Sequence, residues 1–569
     1  MSKPQGTVAA KFAAALKRHG VTVMFSQSLP SALILAAEDV GIRQIVYRTE
    51  NAGGAMADGY ARVTGRVGVV TAQNGPAATL LVPPLSEALK ASVPLLALVQ
   101  DVNRSQADRN AFQEFDHFKL FDGCAKWVRR LTDPARVDDY VDMALVAATS
   151  GRPGPAVLLL PADVLIENVL HSTHPRRASM GCWPLDRGVP APALIDAAAD
   201  LLSSANNPIV IAGGGVHGAQ ACAALASLQD NFHVPVAYTM MGKGSVADCH
   251  PLTVGLVGNV MGKRSLGRHM KSLLDNADCI LLVGTRTNQN GTDSWSLIPK
   301  NAQIIQIDID SQEVGRTYEP DVRLVGDAKL TLEALVERLG SKSLTKRRQT
   351  RTSIESKIAQ SRQHWKVETE AVRRSSATPI RPERIMDDLR ACLSPDTVVV
   401  ADASYSSVWI NVYLDALACG QRFLAPRGLA GLGWGYPMAL GAQAGRAGAP
   451  IVCVAGDGGF GHCWAELETA ARMKLPTTLI VLNNSVLGFQ KDAEKVKFGR
   501  YTGACHFQPV DHAAIARACG VEAHRIEDPK DIAPVLQRAM GRNQPVLLDV
   551  ITDPYAFPPL TMFDQLEGT

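Results

Sequence analysis

The sequence predicts an α/β protein of three domains, each built on a mostly parallel, doubly wound sheet with helices on both faces. Three observations carry that expectation. A length of 569 residues is more than one hydrophobic core organises and suits about three domains. Short apolar runs alternate with helix-spaced segments along much of the chain. The clearest such unit lies late in the chain. Ile451 to Ala455 reads as a buried strand, Phe460, Trp464, Leu467 and Ala471 recur at helical spacing, and Thr477 to Leu482 reads as the next strand. A strand–helix–strand unit of that length makes its two strands parallel neighbours.

The first domain, residues 1–185, alternates helix 8–19, strand 22–25, helix 30–40, strand 43–47, helix 51–63 and strand 67–72, and continues similarly to Val157–Leu160. A Pro-rich stretch, Pro184–Pro192, leads into the middle domain, 186–340, with strands at Ile209–Ile211, Cys279–Val283 and Ile304–Ile309. Residues 341–382 form a polar connection containing Lys346-Arg347-Arg348. It reads as a solvated linker or surface helix rather than an anion site. The third domain, 383–569, holds the 451–482 unit and closes with Asp553–Pro559, a tail expected to lie over a surface.

Composition narrows the function classes. Hydrophobic residues make up 46% and charged residues 20%, the balance of an ordinary globular enzyme. A net charge of +3 gives no footing for nucleic acid or a membrane surface. No 18-residue apolar stretch exists to span a bilayer. The N-terminal helix is broken by Lys11, Lys17 and Arg18 and lacks the apolar core of a signal peptide. Eleven cysteines show no metal spacing, and Cys279 and Cys453 sit in apolar runs, as buried thiols of a reducing compartment do. The expectation is a cytoplasmic enzyme for a small molecule, with no nucleic-acid or membrane partner.

Asp457 and Asn484, 27 positions apart, both follow predicted strands. They would lie side by side at the carboxyl ends of the strands, where open α/β sheets bind ligands. A carboxylate oxygen, an amide oxygen and the backbone approach allowed by Gly456, Gly458 and Gly459 suit Mg²⁺ carrying a diphosphate. The carbonyl of Val486 is the expected third protein ligand. The alternative is a Gly-Asp-Gly turn followed by an Asn turn, with no ligand.

This unit resembles the diphosphate-binding motif of thiamine-diphosphate enzymes. Further stretches are similar to the acetohydroxyacid (acetolactate) synthase-like family. They are Thr49-Glu50-Asn51-Ala52, Ala55-Met56-Ala57-Asp58-Gly59-Tyr60-Ala61-Arg62, Gly65, Gly68-Val69, Asn74-Gly75-Pro76, Phe112-Gln113-Glu114, Lys126-Trp127 and Gly431-Leu432-Gly433-Trp434-Gly435-Tyr436-Pro437. The resemblance covers nearly the whole chain in order. It implies a pyrimidine-binding first domain, a diphosphate-binding third domain and a catalytic unit of at least a homodimer, with a dimer of dimers as the larger form.

The resemblance also implies residue roles. Glu50 would hydrogen-bond the N1′ atom of the cofactor's aminopyrimidine, favouring the tautomer that removes the thiazolium C2 proton. Read locally, Glu50 is equally a helix-start acid. Gln113 would approach the reacting centre, Pro76 would contact the cofactor and Leu432 would prop it in a bent conformer. Ser404, Ser406 and Ser407 stand where the synthases often carry Gly and His-Gln, and would hold diphosphate oxygens. In the middle domain Gly214, Gly215, Met241, Arg286 and Asp308 stand where the synthases bind FAD; ADP or an empty domain are the alternatives within the wider family.

The implied reaction is thiamine-diphosphate-dependent decarboxylation of a 2-oxo acid with acyl transfer to a carbonyl acceptor. Two departures bear on it. Ala493 stands where the synthases carry a pocket tryptophan, and Ser26-Gln27-Ser28-Leu29-Pro30 replaces a Gly/Pro-rich turn. They keep open a thiamine-diphosphate-dependent carbon–carbon lyase or hydrolase acting on a 1,2-diketone or 2-hydroxyacyl-CoA. A flavin oxidoreductase built on the middle domain is the reading from another class; it leaves Glu50 and the metal unit unexplained.

Overall fold

A computed structural model describes residues 6–169 and 180–566. The first five residues of the N-terminal segment, residues 170–179 of the first domain and the last three of the chain lie outside the described residues. Three six-stranded sheets follow one another along the chain, and every strand pair is parallel. The first comprises β1 (Val23–Ser26), β2 (Arg43–Val46), β3 (Gly68–Ala72), β4 (Leu95–Asp101), β5 (Trp127–Arg130) and β6 (Ala156–Pro161), in the order β2-β1-β3-β4-β6-β5. The second comprises β7 (Pro208–Ala212), β8 (Val236–Tyr238), β9 (Thr253–Leu256), β10 (Cys279–Val283), β11 (Gln303–Asp308) and β12 (Val322–Val325), in the order β12-β11-β10-β7-β8-β9. The third comprises β13 (Val398–Ala401), β14 (Phe423–Leu424), β15 (Ile451–Gly456), β16 (Thr478–Asn483), β17 (Glu522–Ile526) and β18 (Val546–Ile551), in the order β14-β13-β15-β16-β18-β17.

The central strands are buried along their length because helices cover both faces, which is why they read as unbroken apolar runs. Several strands without a separate reading in the sequence are short or peripheral, although β18, with six residues, lies inside its sheet. β8 has three residues, β14 has two, and β12 alternates buried and exposed positions at a sheet edge. The helix expected from Phe460 to Ala471 divides into a single turn, Asp457–Phe460, and a helix, Glu466–Arg472. Gly461 follows the first turn and ends it. The polar stretch 341–382 is mostly one helix, Thr345–Arg373, whose few inward residues include Ile358 and Trp365. Arg347 from its basic run turns inward and donates to the carbonyl of Phe232. No described helix is long and apolar enough to cross a membrane.

The first and third domains are joined by a helix pair rich in small residues. Glu50–Thr64 is capped by the Thr49 hydroxyl, which accepts from the Ala52 N–H, and stops at Gly65 in the left-handed region (φ 66°). It lies against Gly435–Gly445 so closely that a Cβ on Gly441 would stand 1.8 Å from the Met56 carbonyl oxygen. The main hydrophobic cluster is continuous across this junction, running from Phe25 and Met56 to Met438 and Leu479.

Candidate active site

β15 and β16 are in register from Val452↔Thr478 to Gly456↔Leu482, so their next residues reach the carboxyl edge of the sheet together. A cavity opens there. Gly456, Asp457, Gly458 and Gly459 form one wall, Asn484 and Val486 another. Ser404, Ser406 and Leu432 complete it from the loops after β13 and β14. Ser407 does not line it: its hydroxyl donates to the Ser404 carbonyl at 2.8 Å and accepts from Arg427 Nη1 at 3.2 Å.

Asp457 is 8% exposed. Its Oδ1 accepts from the Gly458 N–H (2.8 Å), and its Oδ2 from Asn484 (3.1 Å) and Ser485 (2.5 Å). Burial nevertheless pushes its carboxyl up to about 6, against the pull of these amides. An adjacent cation would reverse that balance. Asn484 Oδ1 accepts from the Val486 N–H at 3.1 Å, and Ser485 between them takes a positive φ of 59°. Ser404 does the same (φ 65°) at the start of the helix Tyr405–Tyr413. Two non-glycine residues held in this disfavoured region on one cavity rim mark a backbone shaped for something other than stability. No cluster of three His, Cys, Asp or Glu suited to a metal exists among the described residues, so an ion here would rely on amide and carbonyl oxygens beside Asp457.

Asp402 was not singled out in the sequence, yet it organises the site. Its fully buried carboxylate accepts from the Gly433 (2.9 Å), Trp434 (3.1 Å) and Gly435 (3.0 Å) amides and so holds the loop that presents Leu432. Gly459 is confined against it, because a Cβ there would fall 2.0 Å from Asp402 Oδ2. An acid following a strand was visible; its partners 31 to 33 residues away were not.

Glu50 and Pro76 each open a first-domain helix, Gln113 lies on a first-domain loop, and none of them lines this cavity. Glu50 is 8% exposed, and burial raises its carboxyl above the ordinary value, with only a backbone hydrogen bond opposing. The third domain fixes its surroundings. The Arg48 and Thr49 N–H groups donate to Glu466 Oε1 (3.2 and 3.1 Å), and Trp434 Nε1 donates to Asn51 Oδ1 (3.1 Å). Gln113 takes φ 60°, and its Oε1 accepts from Gln73 Nε2 at 2.6 Å. Its neighbour Phe112 is 86% exposed, and Pro76 is exposed at the start of a short helix.

A second, larger cleft lies where the three domains meet. Gly214, Gly215, Met241, Arg286 and Asp308 all line it. Arg62 and Arg152 enter from the first domain, Arg422 and Arg427 from the third. Burial lowers the Arg286 and Arg427 guanidinium values and brings that of Arg422 down to about 10, with Arg62 adding repulsion. The Arg422 Nε is buried without a hydrogen-bond partner. Burial also lowers His217 to about 3, so the ring is neutral and its Nε2–H donates to the Lys243 carbonyl at 2.8 Å. Arg62 and Arg152 are paired with Asp58 and Glu313, which leaves Arg286, Arg422 and Arg427 as the guanidinium groups here that could meet a phosphorylated ligand.

Residues 6–120, 195–335 and 402–550 match, in turn, the N-terminal binding, central and C-terminal binding domains of thiamine pyrophosphate enzymes. The chain is 30% identical to a probable acetolactate synthase large subunit of Methanococcus aeolicus, over 95% of this chain and 91% of that protein. It is 31% identical to an acetolactate synthase large subunit of Parasynechococcus marenigrum, over 94% and 86%. It is 29% identical to a sulfoacetaldehyde acetyltransferase of Castellaniella defragrans, over 93% and 90%.

Proposed function

The chain belongs to the thiamine pyrophosphate enzymes, and from that premise we propose that it decarboxylates a 2-oxo acid and transfers the acyl group to a carbonyl acceptor, as an acetolactate synthase-like carboligase. The observation behind this reading is a division of labour between two buried acids. Asp457 is buried among the Gly458, Asn484 and Ser485 amides at the carboxyl edge of the third sheet. Glu50 opens a first-domain helix in a dry setting that favours its protonated form.

Asp457, the Asn484 amide oxygen and the Val486 carbonyl would hold Mg²⁺ and, through it, the diphosphate. Ser404 and Ser406 would add hydrogen bonds to phosphate oxygens, and Leu432 would supply an apolar support. Glu50 would hold a proton at the aminopyrimidine nitrogen, and Gln113 would face the reacting centre. Thiamine diphosphate, when bound, supplies the electron sink for the pair left behind as carboxylate departs. Because the Glu50 loops do not line the Asp457 cavity, the reading requires a homodimer in which one copy's first domain covers the other's third domain. The exposed Phe112 and Phe115 beside Gln113 support such a covered face. FAD is the ligand proposed for the arginine-lined cleft, and all eleven cysteines being free thiols supports a cytoplasmic location.

One observation favours the lyase or hydrolase as a second reading. Ala493, where the synthases carry tryptophan, is packed against the apolar cluster that includes Phe563 of the C-terminal segment. Calorimetric titration with thiamine diphosphate and Mg²⁺ should give saturable binding. Pyruvate alone, pyruvate with aldehydes, and cyclic diketones should then be assayed with product analysis. Carboligation supports the proposal; diketone cleavage with no ligation replaces it by the second reading. Flavin absorbance released on denaturation tests FAD, and a colourless protein yielding ADP would identify the other occupant.

A further inference from the structure

Two first-domain loops meet away from both cavities. One follows β3 and carries Gln73-Asn74-Gly75-Pro76; the other follows β4 and carries Gln113 and His117. Three consecutive residues of the first loop bond to the second. Gln73 Nε2 donates to Gln113 Oε1 (2.6 Å), Asn74 Nδ2 donates to the Gln113 carbonyl (3.0 Å), and the Gly75 N–H donates to His117 Nε2 (3.1 Å). An amide N–H only donates, so the neutral ring carries its proton on Nδ1. That atom faces Asp101 Oδ1 at 3.5 Å. Asp101 ends β4 and is itself held by Arg130 Nε (2.7 Å) and the Val102 N–H (3.0 Å). His117 is fully buried, with its ring stacked on Phe121 and tilted against Phe115.

The second loop needs this hold. Asp108, Asn110 and Gln113 all take positive φ, at 61°, 58° and 60°. Each such non-glycine residue is disfavoured and persists only where its surroundings over-determine it. Glu114 secures the early part of the loop, accepting from the Asp108 (2.6 Å) and Ala111 (2.9 Å) amides. Gln73 and Asn74 grip Gln113, and His117 closes the clasp on the amide that precedes Pro76.

We propose that His117 is a positioning residue that locks the Gly75–Pro76 turn to the Gln113 loop and thereby builds the first-domain half of the cofactor site. The inference rests on the roles of Pro76 and Gln113 proposed above. His117 moves no proton in this scheme; it places the groups that meet the cofactor.

The test compares His117→Leu and His117→Gln in the full-length protein. Three quantities are measured: Gly75 amide hydrogen exchange in the apoprotein, the melting temperature, and thiamine diphosphate affinity with Mg²⁺. Losing the acceptor should speed Gly75 exchange and weaken cofactor binding by about tenfold each in the Leu variant. Glutamine, whose Oε1 stands near the place of Nε2, should restore both. A Gly75 amide that stays protected in the Leu variant overturns the clasp. An amide that opens while affinity stays at the wild-type level overturns the positioning role, and traces the failure to the reading of Pro76 and Gln113. Equal affinity losses in the Leu and Gln variants also overturn it, because the acceptor would not be what matters. Should the Leu variant not fold, His117→Phe, which keeps a ring between Phe115 and Phe121 but offers no acceptor, serves instead: weakened binding supports the proposal and unchanged binding rejects it.

Discussion

The first and third sheets share one strand order, yet their loops are put to different ends. After the first strand of each stand Gln27–Leu29 in one and Asp402–Ser406 in the other; after the second, Glu50 and Leu432. After the third come Asn74–Pro76 and Gly456–Gly459, and after the fourth, Gln113 and Asn484–Val486. The same four exits are used twice. The scaffold delivers loops to a carboxyl edge, and the residues on those loops decide what is done there. In the first domain they bury one lone carboxyl, that of Glu50. In the third they gather amides and carbonyl oxygens around an acid.

The comparison breaks most visibly if the two acids share one role. Glu50→Gln keeps the side chain's shape but cannot supply the proton. It should lower turnover by about 10²–10⁴-fold, with thiamine diphosphate affinity staying within about threefold of wild type. Asn484→Ala removes an oxygen ligand from the third domain. It should weaken Mg²⁺-dependent cofactor binding by about 10–100-fold and leave turnover near normal at saturating cofactor. Calorimetry and steady-state kinetics on both variants check this. Parallel losses of affinity would abolish the division of labour.

A smaller effect sharpens the comparison at the first exit. Asp402→Ala would leave the Gly433, Trp434 and Gly435 amides without their shared acceptor. Each buried orphan donor costs about 1–3 kcal/mol, so a loss of about 3 kcal/mol or more is expected. At the end of β1 the Ser26 hydroxyl makes one bond, to Gln44 Oε1 at 2.8 Å. Ser26→Ala should cost about 1 kcal/mol. Urea unfolding of both variants measures the contrast, and equal losses would mean that Asp402 does not organise its loop.

How much of this was legible in the sequence follows from how local each feature is. Parallel strands buried on both faces appear as apolar runs, so β3, β10, β11, β15 and β16 could be read to within a residue. Strands of two or three residues, such as β14 and β8, leave too short a pattern. Site motifs contained in one loop, including Asp457 with its glycines and Asn484, were readable, and the fold brings them into one cavity. Asp402, Glu466 and His117 were not, because each acts on backbone N–H groups of a distant segment. A backbone amide has no residue identity, so such pairings leave no mark in sequence.

The middle sheet departs from the shared plan, with β7 and β10 at its centre and a cleft lined by all three domains. Its strand-end acid, Asp308 at the close of β11, faces that cleft, and burial raises its carboxyl from 3.8 to about 6. The folded state therefore takes up a proton near pH 5 that the unfolded chain has already lost. Stability from this group is intact below the unfolded value, falls as pH rises through the folded value, and stays lost above it. Two units correspond to a ceiling of about 3 kcal/mol, and relaxation around the group should leave about 1 kcal/mol. Asp308→Asn keeps the acceptor for the Asp310 N–H, now at 2.9 Å, and removes the charge. The variant should be more stable than wild type at about pH 7 and equal to it at about pH 3.5, as thermal melts at the two values would register. A gain of the same size at both would place the effect in packing rather than in proton uptake. A loss at neutral pH would mean that the ionised Asp308 is held by a favourable partner in the cleft, making it akin to Asp402, whose carboxylate is surrounded by donors.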